Sequence, residues 1–495
     1  MAHEAVIGLE CHIQLRTRSK MFCGCPAEFG AAPDTNVCPV CLGLPGALPR
    51  ANHAAVEAAL RLGLALGCAI REESVFARKH YFYPDLPKNY QITQYDRPLC
   101  VGGSLPVGDA GGERRYELER LHLEEDTGKS SHPVRTGDRQ FSLLDFNRAG
   151  VPLLELVTQP VFREPAECAA FLAALRRLVR WLGVSDGDME KGQLRCDVNV
   201  SLRPFGAAAL GVKTELKNLN SIRGVEKGLA AEIVRQRRLL EAGDVVEQAT
   251  LLYDVEHDRL ALMRSKEDAH DYRYFPEPDL PVLRVEGPML EAARAGLPEL
   301  PWARAVRLVA CYGLSVHDAS VLCEQRELAD YYEACAAVVE GRLAANWVMS
   351  EVLRVLHERA CSIGVFAARV PAVRLGGLIA RVAAKEIPGP LAKQVFAWML
   401  EEEGGADELL ARHGVRGMGA ATDLRPLVLE VLGEHEAAVA QVLAGNSRTL
   451  DFLVGRVMMK SRGQAAPQVV QELLAAELAR RAAGETPPPA PEVGP

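Results

Sequence analysis

"IGLECHIQL", residues 7–15, alternates strictly between apolar and polar positions. Ile7, Leu9, Cys11, Ile13 and Leu15 fall on one side of a period-two pattern; Gly8, Glu10, His12 and Gln14 fall on the other. The stretch reads as a strand with one buried face. Its second face sets a carboxylate beside an imidazole, because side chains at i and i+2 project in parallel. Two readings fit the strand alone: a pair that shares one ligand, or two polar groups in water.

Three further stretches repeat the pattern. In "QLRCDVNVSL" (193–202), Leu194, Cys196, Val198, Val200 and Leu202 alternate with Arg195, Asp197, Asn199 and Ser201. In "VKTELKNL" (212–219), Lys213, Glu215 and Lys217 oppose Val212, Thr214 and Leu216. In "ELERLHLEEDTGKS" (117–130), Leu121 and Leu123 oppose His122 and Glu124, and Glu125 and Asp126 run on into a loop. Strands with one apolar and one charged face predict an antiparallel sheet covered on one side. Their polar faces would gather Glu10, His12, Glu124 or Glu125, Asp197 and Glu215, with Lys213, Lys217 and Arg195 among them. Carboxylates with pKa values of about 4 repel one another at neutral pH unless a cation sits among them. Oxygen ligands with one imidazole favour Mg²⁺ or Mn²⁺ over Zn²⁺, and interleaved lysines suit phosphates. A metal-dependent phosphoryl site and a plain solvated face both remain open at this point.

"EDTGKS" (125–130) is not a phosphate-binding loop of the G-x-x-x-x-G-K-[ST] kind, because Leu123 stands where glycine is required. "RKHYFYPDLPKNYQITQYDRPL" (78–99) interleaves Lys79 and other basic side chains with Tyr81 and four more aromatic residues. Such a loop can stack a base and hold phosphates, or simply pack over a sheet. "HYFYPDLP" (80–87) has a short echo in "YRYFPEPDLP" (272–281).

"CGC" (23–25) and "CPVC" (38–41) form C-x-C-x12-C-x-x-C. Cys23, Cys25, Cys38 and Cys41 suit a closed tetrahedral Zn²⁺ site of structural kind; four buried free thiols are the alternative. The chain has 13 cysteines, an odd number, and several stand alone in apolar runs (Cys68, Cys168, Cys311, Cys335). That usage fits buried thiols in a reducing cytoplasm. "MAHEAVIGLE" has neither the basic nor the apolar region of a signal peptide, and no apolar run approaches the roughly 18 residues of a membrane span. The net charge of −8 means that any nucleic-acid contact must use local basic patches.

The 495 residues are too many for one core. The expected organisation is α+β. A mixed domain over 1–293 precedes helices over 294–418, a small helical tail over 419–482 and a disordered end at 483–495. Helices are predicted at about 164–182, stopping at Gly183, and from Ser221 to Gly243. Residues 403–424 are Gly-rich and read as a hinge. In "NSRTLDFLVGRVMMKSRG" (446–463), Arg448, Arg456, Lys460 and Arg462 outweigh Asp451. Arg456 and Lys460 share a helix face, with Leu450, Leu453, Val454 and Val457 on the packed side.

The motifs together resemble the B-subunit family of the aspartyl/glutamyl-tRNA amidotransferases. The resemblance is carried by "IGLECHIQL", "CPVCLGLPGALP", "KHYFYPDLPKNYQITQYD", "RLHLEEDTGKS", "DFNRAGVPLLELV", "GQLRCDVNVSLR", "TELKNLNS" and "MRSKEDAHDYRYFPEPDLP", in that order, and by the tail. It covers residues 5–480. It implies a cradle-like catalytic domain that uses ATP and Mg²⁺ to phosphorylate the side-chain carboxylate of Glu-tRNA(Gln) or Asp-tRNA(Asn). Ammonia would come from a glutaminase A subunit in a complex with a C subunit. It implies catalytic positions at Glu10, His12, Glu124, Glu125, Asp197 and Glu215, with Glu10, His12 and Glu125 on magnesium. Lys79, Tyr81, Lys213 and Lys217 are the expected ATP contacts, the four cysteines the zinc ligands, and Arg448, Arg456, Lys460 and Arg462 the tRNA contacts. Cys11 departs from the small apolar residue expected there. An RNA-processing metallo-hydrolase with a zinc knuckle and a non-catalytic tRNA scaffold are the competing classes.

Overall fold

The computed structural model describes residues 3–483, apart from 109–112, 137–138, 255–256, 266–270, 416–420, 445, 447, 462–464 and 466. It divides into two compact units, 1–304 and 305–495. The first outruns the boundary read at 293 because Leu297, Leu300 and Trp302 pack onto its core.

The strands that build the first unit's site are β1 (His3–Gln14), β2 (Phe76–His80), β3 (Tyr90–Gln94), β4 (Arg114–Glu125), β5 (Pro152–Thr158), β6 (Leu194–Pro204), β7 (Thr214–Leu219), β8 (Ala249–Asp254), β9 (Arg259–Ser265) and β10 (Phe275–Pro276). A ten-stranded sheet runs in the order β9-β8-β7-β6-β1-β5-β4, followed by Cys100–Val101 and Ala69–Ile70, with Ser104–Val107 also on β4. The four strands read from alternation all belong to it. It is not wholly antiparallel, since β7 and β8 pair in parallel. β5 was not legible as a strand. It lies between β1 and β4, every residue from Pro152 to Thr158 is buried, and its sequence is a continuous apolar run rather than an alternation.

The apolar residues of β1 and β6 share one core with two helices. Pro165–Trp181 starts where Glu167 accepts hydrogen bonds from the Arg163 and Glu164 amides. Ile222–Ala242 is capped by Ser221, whose hydroxyl accepts from the Gly224 amide, and it ends on Gly243 at φ 83°. At Gly228 an added Cβ would lie 3.2 Å from Leu219 and Tyr253, so helix and sheet meet at glycine distance. Each large apolar side chain buried in this core contributes roughly 1.5–3 kcal/mol. β10, β2 and β3 form a separate small sheet. "EDTGKS" leads from the end of β4 into a strand at Lys129–Thr136, not into a helix, as its missing glycine required.

The second unit is helical. "LAANWVMSEVLRVLHERA" is helical as far as Glu358, with a π-helical turn at Val348–Val352, and ends in a turn at Arg359 and Ala360. Part of the expected hinge is ordered: Ala406–Arg412 is a helix, Arg412 and His413 both bond Glu402, and His413 stacks on Trp398 at 3.9 Å. Residues 416–420 and the end expected to be disordered, from 484, lie outside the described residues. The tail has its own core of Leu424, Val428, Leu453, Val457, Val470 and Leu474, among others. Cys311, read as buried, is exposed because its helix turns that position outward. Among the described residues no single helix is long and apolar enough to cross a membrane.

Candidate functional site

Strand register assembles the site. Across β6, β1, β5 and β4, Arg195 faces His12, His12 faces Glu155, and Glu155 faces His122. One row beyond, Asp197 faces Glu10; on the other side, Gln14 and Glu124 both face Leu153. The alternation that buries Ile7 through Leu15 therefore delivers a block of titratable groups to the opposite face.

The block has two halves. In the first, His12 Nε2 lies 3.7 Å from Glu124 Oε1 and 3.5 Å from Glu155 Oε2, and His122 Nε2 lies 3.4 Å from the same Glu155 oxygen. Glu124, Glu155 and His122 are buried. Burial opposes the charged imidazolium of His12, but the hydrogen bond to Glu155 and the charges of Glu124 and Glu155 hold its pKa at about 9. Glu155 would be pushed up by burial, yet His122 and His12 outweigh that and hold it far below the usual carboxylate range. Glu124 is pushed up by burial and by Glu155. Lys79 joins this half, its ammonium 4.9 Å from the Tyr272 ring and 5.9 Å from the Tyr81 ring. Desolvation pulls the Lys79 pKa down, but Glu124, Tyr274 and Glu155 raise it overall. Burial and the Glu124 charge push the Tyr81 phenol up.

In the second half, Lys217 Nζ bridges Asp197 Oδ2 at 2.5 Å and Glu215 Oε1 at 3.0 Å. The Thr250 hydroxyl donates to Glu215, and the Asn199 amide donates to Glu10 Oε1, each at 2.9 Å. Burial, then the charges of Glu155, Asp197 and Glu215, push the Glu10 carboxyl up. Burial alone would lower the Lys217 pKa, but Asp197 and Glu215 raise it well above the ordinary value.

Two expected members do not join. Glu125, read as a magnesium ligand with Glu10 and His12, follows Glu124 directly, so alternation sends it to the other face. There it pairs with Lys88 and accepts the Ile92 amide at 2.9 Å. It lines a cavity of about 190 Å³ with Phe22, Cys23, Cys41 and Lys88. Lys213 precedes β7 and stays exposed. The ligand atoms of His12, Glu124 and Glu155 lie within 4.8 Å of one another, and that donor set fits a hard divalent cation. Glu155 escaped the sequence reading. The available signal was a lone carboxylate inside "VPLLELV", a buried charge that requires partners.

The four cysteine sulfurs also lie within 4.8 Å of one another. Zn–S bonds of about 2.3 Å in a tetrahedron need sulfurs about 3.8 Å apart, and Cys38 and Cys41 stand at 3.9 Å. Cys41 is held down to about 5 by the Cys23 thiol, the Cys38 amide and the Lys20 ammonium, while burial pushes Cys25 up to about 11. Lys20 is fully buried, and its ammonium donates to Asn36 O at 2.6 Å and approaches Cys41 Sγ at 3.7 Å. A buried cation beside four sulfurs fits a centre whose thiolates carry excess negative charge.

The tail departs from its reading. In the helix Arg448–Lys460, Leu453, Val454 and Val457 are packed as expected. The basic face, however, is already engaged: Lys460 donates to Glu430 at 2.7 Å and Glu434 at 2.5 Å, and Arg456 Nε donates to His435 at 3.0 Å. The acids come from the neighbouring helix Ala421–Glu434 and could not be seen from the basic segment alone. The Arg448 side chain and Arg462 lie outside the described residues.

A sheet that sets carboxylates, imidazoles and lysines on one face, with a four-cysteine centre beside it, matches a defined class. Residues 5–291 match the family model described as the GatB/GatE catalytic domain, and residues 330–478 match that described as the GatB domain. The chain belongs to the family of aspartyl/glutamyl-tRNA(Asn/Gln) amidotransferase B subunits. It is 47% identical over 479 residues to the family member from Chlorobium luteolum, covering 97% of this chain and 100% of the relative. The relative from Chlorobium chlorochromatii gives the same figures. That from Chlorobaculum tepidum is 45% identical over 475 residues, 96% and 99% of the two chains.

Proposed function

We propose that this chain activates the side-chain carboxylate of Glu-tRNA(Gln), Asp-tRNA(Asn) or both with ATP, and that ammonia then converts it to the amide. The observation that carries this reading is the His12–Glu124–Glu155 group with Lys79 against it, in a chain of this family. A carboxylate attacking a triphosphate brings like charges together. His12, Glu124 and Glu155 would hold Mg²⁺, which supplies charge neutralisation for the transferring phosphoryl group. Lys79 and Lys217 add fixed positive charge on either side, and the Tyr81 and Tyr272 rings shield Lys79 and limit water access. Limiting water matters because an acyl phosphate hydrolyses readily. Asp197 and Glu215 position Lys217, and Asn199 holds Glu10 beside them. Zn²⁺ on the four cysteines would pin the loop-rich segment about residues 20–50, a stabilising role.

A glutaminase A subunit and a C subunit complete the assembly in this reading, and the tail from residue 421 contributes to holding the tRNA. The test is reconstitution with those partners, followed by isotope-labelled ammonium. Amide formation on aminoacyl-tRNA that requires both ATP and this chain supports the reading. Amide formation without ATP, or RNA cleavage in its place, overturns it.

A further inference from the structure

The phosphoryl group in transfer needs a donor that is held in place yet has N–H groups to spare. Lys217 is committed to two carboxylates, and Lys79 lies among aromatic rings facing Glu124 and Glu155. Arg195 differs from both. It is the register partner of His12 across β1 and β6, so its side chain rises from the same face in the adjoining position. It also sits two residues from Asp197, at the seam between the two halves of the site.

Its guanidinium is anchored from one side. Nη2 donates to Asp126 Oδ2 at 2.9 Å, and Asp126 is buried and also faces Arg148 at 3.6 Å. The Nε–H is buried and has no hydrogen-bond partner among the described residues. A guanidinium carries five N–H donors in a rigid fork that matches phosphate oxygens two at a time. An uncommitted Nε–H in such a place costs free energy unless a ligand satisfies it. The charged groups around it are His12, Glu124, Asp126 and Asp197. Three of these four are carboxylates, so an incoming triphosphate requires a fixed cation at this point.

We propose that Arg195 is a further catalytic residue, whose guanidinium grips the phosphoryl group through both chemical steps. The proposal rests on the ATP-dependent reading above. In the first step a side-chain carboxylate oxygen forms a bond to the γ-phosphorus, the bond from that phosphorus to the bridging β-γ oxygen breaks, and ADP leaves with the electron pair. In the second, ammonia nitrogen bonds to the acyl carbon and the carbon–oxygen bond to phosphate breaks. The electron pair leaves on phosphate, which also takes the proton shed by nitrogen. In both steps negative charge accumulates on oxygens of the same phosphoryl group, where a planar two-donor clamp acts most strongly.

The test uses the complete complex with ammonium chloride as nitrogen source. Arg195→Ala is expected to lower kcat for ATP-dependent amide formation about 100- to 1000-fold, with the partner's glutaminase activity unchanged. Added guanidinium chloride, at tens of millimolar, should restore part of the lost rate. Arg195→Lys keeps the charge opposite Asp126 but lacks the fork, and should still lose at least about tenfold in kcat; it carries the test if the alanine variant does not fold. A parent-like kcat in either variant overturns the proposal, as does a loss that tracks a lower melting temperature and ignores guanidinium. If the parent complex itself forms amide without ATP, the reading of the reaction fails and not the assignment of Arg195 alone.

Discussion

His12 and Glu155 face each other across the β1–β5 seam, with Nε2 and Oε2 3.5 Å apart. Neither strand has this site alone. β1 supplies an imidazole whose pKa is held at about 9, and β5 supplies the buried carboxylate that, with Glu124, holds it there. A divalent cation would replace the proton shared in that group.

Metal binding should therefore follow the face and not the order of residues in the sequence. Titration with Mn²⁺, followed by its paramagnetic signal, should show affinity weakened at least about tenfold by Glu155→Gln and by Glu124→Gln. Glu125→Gln should leave it within about twofold, because that carboxylate pairs with Lys88 on the other face. Equal losses at positions 124 and 125 would contradict the assignment.

Replacing Cys38 or Cys41 with serine should remove close to one equivalent of zinc by elemental analysis and lower the melting temperature. Metal binding contributes folding free energy, so the expected phenotype is poor solubility. Zinc loss with unchanged melting and activity would show that the centre has another role.

Ser221→Ala should destabilise the first unit by about 1 kcal/mol through the lost cap. Leu229→Ala should cost about 2–5 kcal/mol, since Leu229 is fully buried between helix and sheet. Chemical denaturation of the purified chain measures both, and the reverse ranking would contradict the packing described.

In the tail, Lys460 is already held by Glu430 and Glu434. Arg456→Ala/Lys460→Ala should reduce the salt slope of tRNA affinity by less than the roughly two units that two free phosphate contacts would give. Removing residues from 421 onward should raise the KM for tRNA steeply while leaving glutaminase activity intact. A truncated chain with the parent's KM would reduce the tail to a helical appendage.

Much of this was legible because alternation is local. The faces of β1, β4, β6 and β7, the caps at Ser221 and Gly243, and the cysteine spacing are all written in short stretches of sequence. What stayed hidden depends on neighbours far along the chain. Glu155 sits in an apolar run whose second face is covered, so period two disappears. Glu125 and Glu124 are adjacent in sequence, and only the strand's continuation to Glu125 decides which one meets His12. The basic face of the tail was read without Glu430 and Glu434, which arrive from another helix.

The most direct measurement of the central claim is trapping of the activated carboxylate. The reconstituted complex, given misacylated tRNA, ATP and hydroxylamine with no glutamine, should form the side-chain hydroxamate. Glu155→Gln should form it at no more than about one-hundredth of the parent rate. Hydroxamate that forms equally well without ATP, or at the parent rate in Glu155→Gln, would contradict the account.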